Sequence, residues 1–220
     1  MNARSSQPAE PATAGLLRTF SASLAALVAG LVLMLWTTEG GSAFTTETAR
    51  RAAVERAPQP LPDLSVVGAD GEVTTLGRLF ASGGRVWIVD FVYTRCQTVC
   101  SALGSIYQQL QQRILDGDLK GRVGLLSISF DPGRDDAAAL RGYAARMRMD
   151  VDVWRIVTLT SAADRRRLLD AFGIMVVPAP LGEFEHNAAL HIVDGQGQLV
   201  HIVDYDSPAQ ALALARVLAP

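Results

Sequence analysis

The sequence predicts an α/β fold, a mixed central sheet flanked by helices, behind an N-terminal transmembrane anchor. Three observations predict it. Segments of strand period and helix period alternate from residue 61 to the C-terminus. Two of the strand segments, 85–93 and 123–130, are nearly unbroken apolar runs, as expected of strands buried on both faces. Residues 19–36 carry no charge and are mostly apolar, near the lower end of the roughly 17–25 residues that a spanning helix needs.

Taken in order, residues 1–15 are rich in Ser, Pro and Ala and read as a disordered cytoplasmic tail, with the anchor over 16–37. Arg4 and Arg18 precede the apolar run and Glu39 is the first charge after it. The positive-inside rule then leaves the N-terminus in the cytoplasm and the rest outside, with Trp36 as an interfacial anchor. A signal peptide cut after Ala43 is the competing reading. It is disfavoured because no clean Ala-x-Ala site is present and the run exceeds the usual h-region of about 7–15 residues. Residues 38–60 form a linker, with a short helix over 43–56 that Pro58, Pro60 and Pro62 end.

The domain proper spans 61–220. Strands at 64–67 and 73–76 flank the hairpin signal Asp70-Gly71. After the buried strand 85–93, Leu103, Ile106, Tyr107, Leu110 and Ile114 mark a helix over 101–115. The buried strand 123–130 ends in the loop Asp131-Pro132-Gly133. A helix over 136–147, a strand over 153–159 and a helix over 162–172 closed by Gly173 follow. Strands at 188–193 and 199–203 flank a turn at 194–197, and a helix over 208–218 completes the chain.

Composition narrows the function. A length of 220 residues allows one domain with a full core plus an appendage. The net charge of −2, without a basic stripe, gives no reason to expect nucleic acid as a partner. Two cysteines are too few for a disulfide scaffold and lack a second pair for a four-cysteine zinc site.

Those two, Cys96 and Cys100, lie where the first long strand meets the first long helix, the thioredoxin-like arrangement. Backbone N–H groups at such a junction favour thiolate over thiol. The pair can be a stabilising disulfide, a redox couple or half of a metal site, and its Cys-x-x-x-Cys spacing leaves room for a metal. Of the three histidines, His191 and His201 fall in apolar strand segments and read as packed or edge-strand residues. His186 follows a Pro- and Gly-containing loop, just before a strand, and is the candidate third ligand. Two thiolates and an imidazole suit copper; zinc accepts the same donors but usually adds a fourth. Asp131 and Asp135 could serve acid–base chemistry if they converged, whereas a turn with Asp135 or Asp136 capping the next helix is the simpler reading.

The block Asp-Phe-Val-Tyr-Thr-Arg-Cys96-Gln-Thr-Val-Cys100 resembles the Phe-x-Tyr-Thr-x-Cys-Pro-x-x-Cys signature of the Sco/SenC family. Ser-Ile-Ser-Phe-Asp131-Pro-Gly-Arg-Asp135 is similar to its Ser-x-Asp-Pro-x-x-Asp segment. Glu185-His-Asn, leading into a strand that ends in Asp194-Gly-Gln-Gly, is similar to its Asp-His-Ser stretch. The blocks occur in family order and cover the chain from about residue 61 onward. Gln97, Glu185 and Asn187 depart from the family's Pro, Asp and Ser; none is a ligand.

The resemblance implies a membrane-anchored thioredoxin-like copper chaperone for cytochrome c oxidase assembly, with Cys96, Cys100 and His186 holding the copper, as Cu+ or Cu2+. Its client would be the CuA centre of subunit II or another copper enzyme, served by a copper donor and a thiol-reducing partner. The domain would face the periplasm from a bacterial inner membrane. An extracytoplasmic thiol–disulfide reductase, with Cys96 and Cys100 as the redox pair, is the alternative function, and only in that case is the chain an enzyme.

Overall fold

The structure, a computed structural model, describes residues 12–37, 46–95, 99–180 and 183–220. They fall into two units, Met1–Ala52 and Ala53–Pro220. In the first, the uncharged run forms α1 (Ala12–Thr37), of which Gly15–Thr37 is long and apolar enough to cross a membrane. Residues 12–15, expected in the tail, are thus helical; the rest of the tail lies outside the described residues. Helix α2 (Thr46–Arg56) realises the helix expected within the linker.

The second unit starts in the last turn of α2, where Val54 is fully buried in the apolar core. The linker does not end free: β1 (Gln59–Pro60) pairs with a late strand and closes one sheet edge, a position that tolerates proline. Strands β2 (Ser65–Gly68) and β3 (Val73–Thr75) form the expected hairpin, with Gly71 at φ 85°, a conformation open to glycine. A helix that periodicity missed, α3 (Leu76–Ala81), is started by Thr75, whose hydroxyl accepts from the Arg78 amide. Six residues are too few to show a helical repeat.

The long elements follow as expected. They are β4 (Val86–Val92), α4 (Val99–Asp116), β5 (Val123–Ser129), α5 (Ala137–Met147), β6 (Trp154–Leu159) and α6 (Arg165–Phe172). Gly173, at φ 63°, caps α6. A small hairpin, β7 (Val176–Pro178) and β8 (Phe184–His186), stands where a loop was expected. Strands β9 (Ala189–Val193) and β10 (Gln198–Asp204) and helix α7 (Pro208–Leu218) complete the unit.

The main sheet runs β1-β10-β9-β4-β5-β6-β2-β3. Strands β4, β5 and β6 are parallel and the others join antiparallel, so the sheet is mixed. Strand β4 sits at the centre, buried along its whole length. Its alternate side chains Trp87, Val89 and Phe91 enter one core with α3 and α6. Val86, Ile88 and Val92 enter another with α4, α5 and α7. A central strand packed on both sides has little freedom, so whatever follows its C-terminal end is presented by a rigid edge.

Candidate metal centre

Beyond β4 the chain continues as Tyr93-Thr94-Arg95, and α4 begins at Val99. Cys96 lies outside the described residues. Cys100 occupies the first turn of α4, as expected, and its side chain also lies outside them. A helix start offers amide donors and the positive end of the dipole, which stabilise a thiolate.

His186 is the last residue of β8, in register with Val176. Its Nδ1 lies 3.1 Å from the Asn187 carbonyl oxygen. A carbonyl can only accept, so Nδ1 carries a proton, and in the neutral imidazole Nε2 then keeps the lone pair. Nε2 is itself buried. A metal-binding imidazole needs one unprotonated nitrogen, and this tautomer supplies it in a donor type that suits copper.

Four contacts carry this hairpin to the end of β4. The His186 ring meets the edge of Phe130 at 5.2 Å, and Phe130 meets Tyr93 at 5.5 Å. The Tyr93 hydroxyl donates to the Glu183 carboxylate and accepts from the Phe184 amide at 3.3 Å. Asn187 ties the other side, accepting from the Met175 amide at 2.7 Å and donating to the Gly173 carbonyl at 3.0 Å. The Arg165 guanidinium covers the Phe184 and Phe130 rings at 5.1 and 5.6 Å, closing the cluster from α6. A Tyr93→Phe variant should keep the fold but loosen the hairpin. Hydrogen exchange should speed up about fivefold at Phe184, since one hydrogen bond is worth about 1 kcal/mol, and stay unchanged in α7.

The other two histidines are engaged elsewhere. His191 is buried between Phe91 and Phe172, at 5.7 and 5.3 Å, with its ring nitrogens near the Val89 and Phe172 carbonyls. His201 faces Glu55 across 3.3 Å. The carboxylates after β5 do not form an acid–base pair. Asp136 caps α5 through the Ala139 amide, Asp131 pairs with Arg134 at 3.8 Å, and Asp135 turns inward beneath Thr94.

Sequence reasoning overlooked one group near this site. Asp90, in the middle of β4, is 1% exposed, and neither carboxyl oxygen has a hydrogen-bond partner among the described residues. Burial pushes its pKa up to about 7; the nearby Ser127 hydroxyl, its own amide and the Tyr107 hydroxyl oppose this by less. The signal was present: a lone acid inside the run Val86-Trp-Ile-Val-Asp-Phe-Val.

Comparison with known proteins agrees with this geometry. The SCO1/SenC family model matches residues 65–218, which includes every element from β2 to α7. The SCO1 protein homolog of Bacillus subtilis (strain 168) is 26% identical over 119 residues, 53% of this chain, and the match spans 61% of that protein's length. Two solved structures share the thioredoxin-like fold. Bradyrhizobium japonicum ScoI with copper bound has a TM-score of 0.59 at 20% identity, over 72% of this chain and 99% of that one. A structure of BsSco has a TM-score of 0.60 at 24% identity, over 74% and 96%. It is described as a member of the Sco family of cytochrome c oxidase assembly proteins in which a disulfide switch was identified. The cysteine-bearing junction, the hairpin histidine and a family match over most of the chain converge: this chain belongs to the SCO1/SenC family.

Proposed function

We propose that the chain is a membrane-anchored copper metallochaperone that binds one copper ion as cargo and passes it to the CuA centre of cytochrome c oxidase. The ligands are the Cys96 and Cys100 thiolates and His186 Nε2. The observation that carries this reading is the Nδ1 contact of His186 with the Asn187 carbonyl, which makes Nε2 the acceptor atom of the neutral ring. The copper-bound relative and the oxidase-assembly relative support it. In this reading helix α1 serves as the anchor, and the charge asymmetry around it supports a domain on the outer side.

Transfer proceeds by ligand exchange. A client thiolate or imidazole enters the copper's coordination shell, the chaperone's sulfurs leave one at a time, and no oxidation is required. The test is a copper titration of the reduced full-length chain in detergent. Cys96→Ser and Cys100→Ser should abolish tight equimolar binding. Loss of a ligand exceeds loss of an outer partner, so His186→Ala should weaken binding by more than about 100-fold. Tight equimolar binding that survives His186→Ala would refute the three-ligand site.

The disulfide switch of BsSco favours a second reading, a thiol–disulfide reductase. The Cys96 thiolate attacks a client disulfide to form a mixed disulfide. Cys100 then displaces the client, which leaves as a dithiol while the pair becomes a disulfide. Under this reading Cys100→Ser traps a mixed disulfide in cells and His186→Ala is silent; a trap that stays empty counts against it.

A further inference from the structure

Thr94 is two residues before Cys96 and has every polar group engaged. Its amide donates to Asp135 Oδ2 at 2.9 Å and its hydroxyl donates to Asp135 Oδ1 at 2.6 Å. Its carbonyl accepts from Arg146 Nη2 at 2.8 Å. Asp135 is 1% exposed and takes a third bond at 2.5 Å from the Ser129 hydroxyl, at the end of β5. Two segments therefore meet on Thr94, the loop after β5 and α5, and the end of β5 joins them through Asp135. The next residue, Arg95, is exposed.

A buried carboxylate with three donors resists displacement, because releasing any of them strands a buried polar group. The bonds from the Thr94 amide and to its carbonyl fix the peptide planes on both sides of the residue. The direction in which the chain leaves β4 toward Cys96 is thereby set by groups that are neither ligands nor neighbours in sequence.

From this we infer that Asp135 and Arg146 are positioning residues for the cysteine loop. They clamp Thr94, the point from which the chain leaves β4 toward the cysteines, and this clamp supports copper binding and disulfide formation alike. The copper half rests on the function proposed above; the disulfide half needs only the two cysteines.

Side chains that orient ligands from the outer shell typically change metal affinity by about 10–100-fold. Preorganisation likewise raises the effective concentration of one thiol at the other. The experiment uses the full-length chain in detergent, with copper affinity and the disulfide equilibrium against glutathione as readouts. Asp135→Ala should lower copper affinity by about 10–100-fold and favour the dithiol by about tenfold. Arg146→Met, at an exposed position, should move both readouts in the same direction by less. Asp135→Asn should restore most of the loss. Its carbonyl can still accept from the Thr94 amide and the Ser129 hydroxyl, while its NH2 donates to a reversed Thr94 hydroxyl.

Rescue by Asn with copper stoichiometry unchanged supports the clamp, since a purely structural loss would not leave the stoichiometry intact. If Asp135→Ala does not fold, Arg146→Met decides alone. Wild-type values for both readouts in folded Arg146→Met overturn the inference. A wild-type chain that binds no copper, but whose disulfide equilibrium shifts in Arg146→Met, refutes the copper reading and supports the clamp.

Discussion

Asp90→Asn should stabilise the domain at alkaline pH by roughly 4 kcal/mol and leave it almost unchanged near pH 4. The folded-state pKa is pushed up to about 7, chiefly by burial in the centre of β4. An unfolded aspartate titrates near 3.9. Between those values the folded chain holds a proton that the unfolded chain has released. Stability from this group is therefore complete below about pH 4 and is lost as pH rises through about 7, at about 1.4 kcal/mol per unit. The neutral amide keeps the shape and removes the titration. Denaturant unfolding of the two full-length proteins in detergent, followed by the fluorescence of buried Trp87 and Trp154, gives the difference directly. Other carboxylates are common to both and cancel. A gap that stays constant from pH 4.5 to 8 would show that Asp90 is as ionised in the folded chain as in the unfolded one, so that burial does not raise its pKa.

The Asp90 environment also explains what the sequence reading could and could not see. A run such as Val86-Trp-Ile-Val-Asp-Phe-Val is so apolar that one acid does not disturb the assignment of a buried strand. The penalty becomes visible only when β5 and α4 bring Ser127 and Tyr107 alongside it. Long elements were legible because hydrophobic period accumulates over many residues, as in α4 and α7. Short ones were not: α3 has six residues, and β7 and β8 have three each with prolines nearby, so no repeat emerges. The choice of His186 over His191 and His201 needed only the contrast between a loop and an apolar strand. What holds His186 in place was hidden, because Phe130 reaches its ring, and Tyr93 reaches the hairpin through Glu183, only through tertiary packing. Sequence offered Asp135 or Asp136 as the cap for α5; Asp136 caps that helix, and Asp135 grips Thr94. Adjacent acids are interchangeable on paper and are separated only by the direction each side chain takes.

Phe130→Ala should cost about 3–5 kcal/mol of domain stability, the usual loss for a large aromatic removed from a core. Phe130 is fully buried at the end of β5, where its amide continues the sheet by donating to the Val92 carbonyl at 3.1 Å. Its ring is the shared wall for Tyr93, Phe184 and His186, at 5.5, 5.6 and 5.2 Å. Truncation opens a cavity beneath the hairpin and also removes the ring contact of the imidazole. Phe130→Leu separates these effects. It fills much of the cavity but lacks the ring edge, and aromatic pairs contribute about 0.5–1.5 kcal/mol each beyond their buried area. Unfolding and copper titration of the full-length chain in detergent should therefore diverge. Leu should recover most of the lost stability, yet leave copper affinity lowered by about tenfold, because a freed imidazole must be ordered again when the metal binds. Wild-type copper affinity in Phe130→Leu would mean that the ring only fills space. A lowered affinity at near-native stability would mean that the aromatic cluster is what turns a histidine at the end of β8 into a ligand aimed at the cysteine loop.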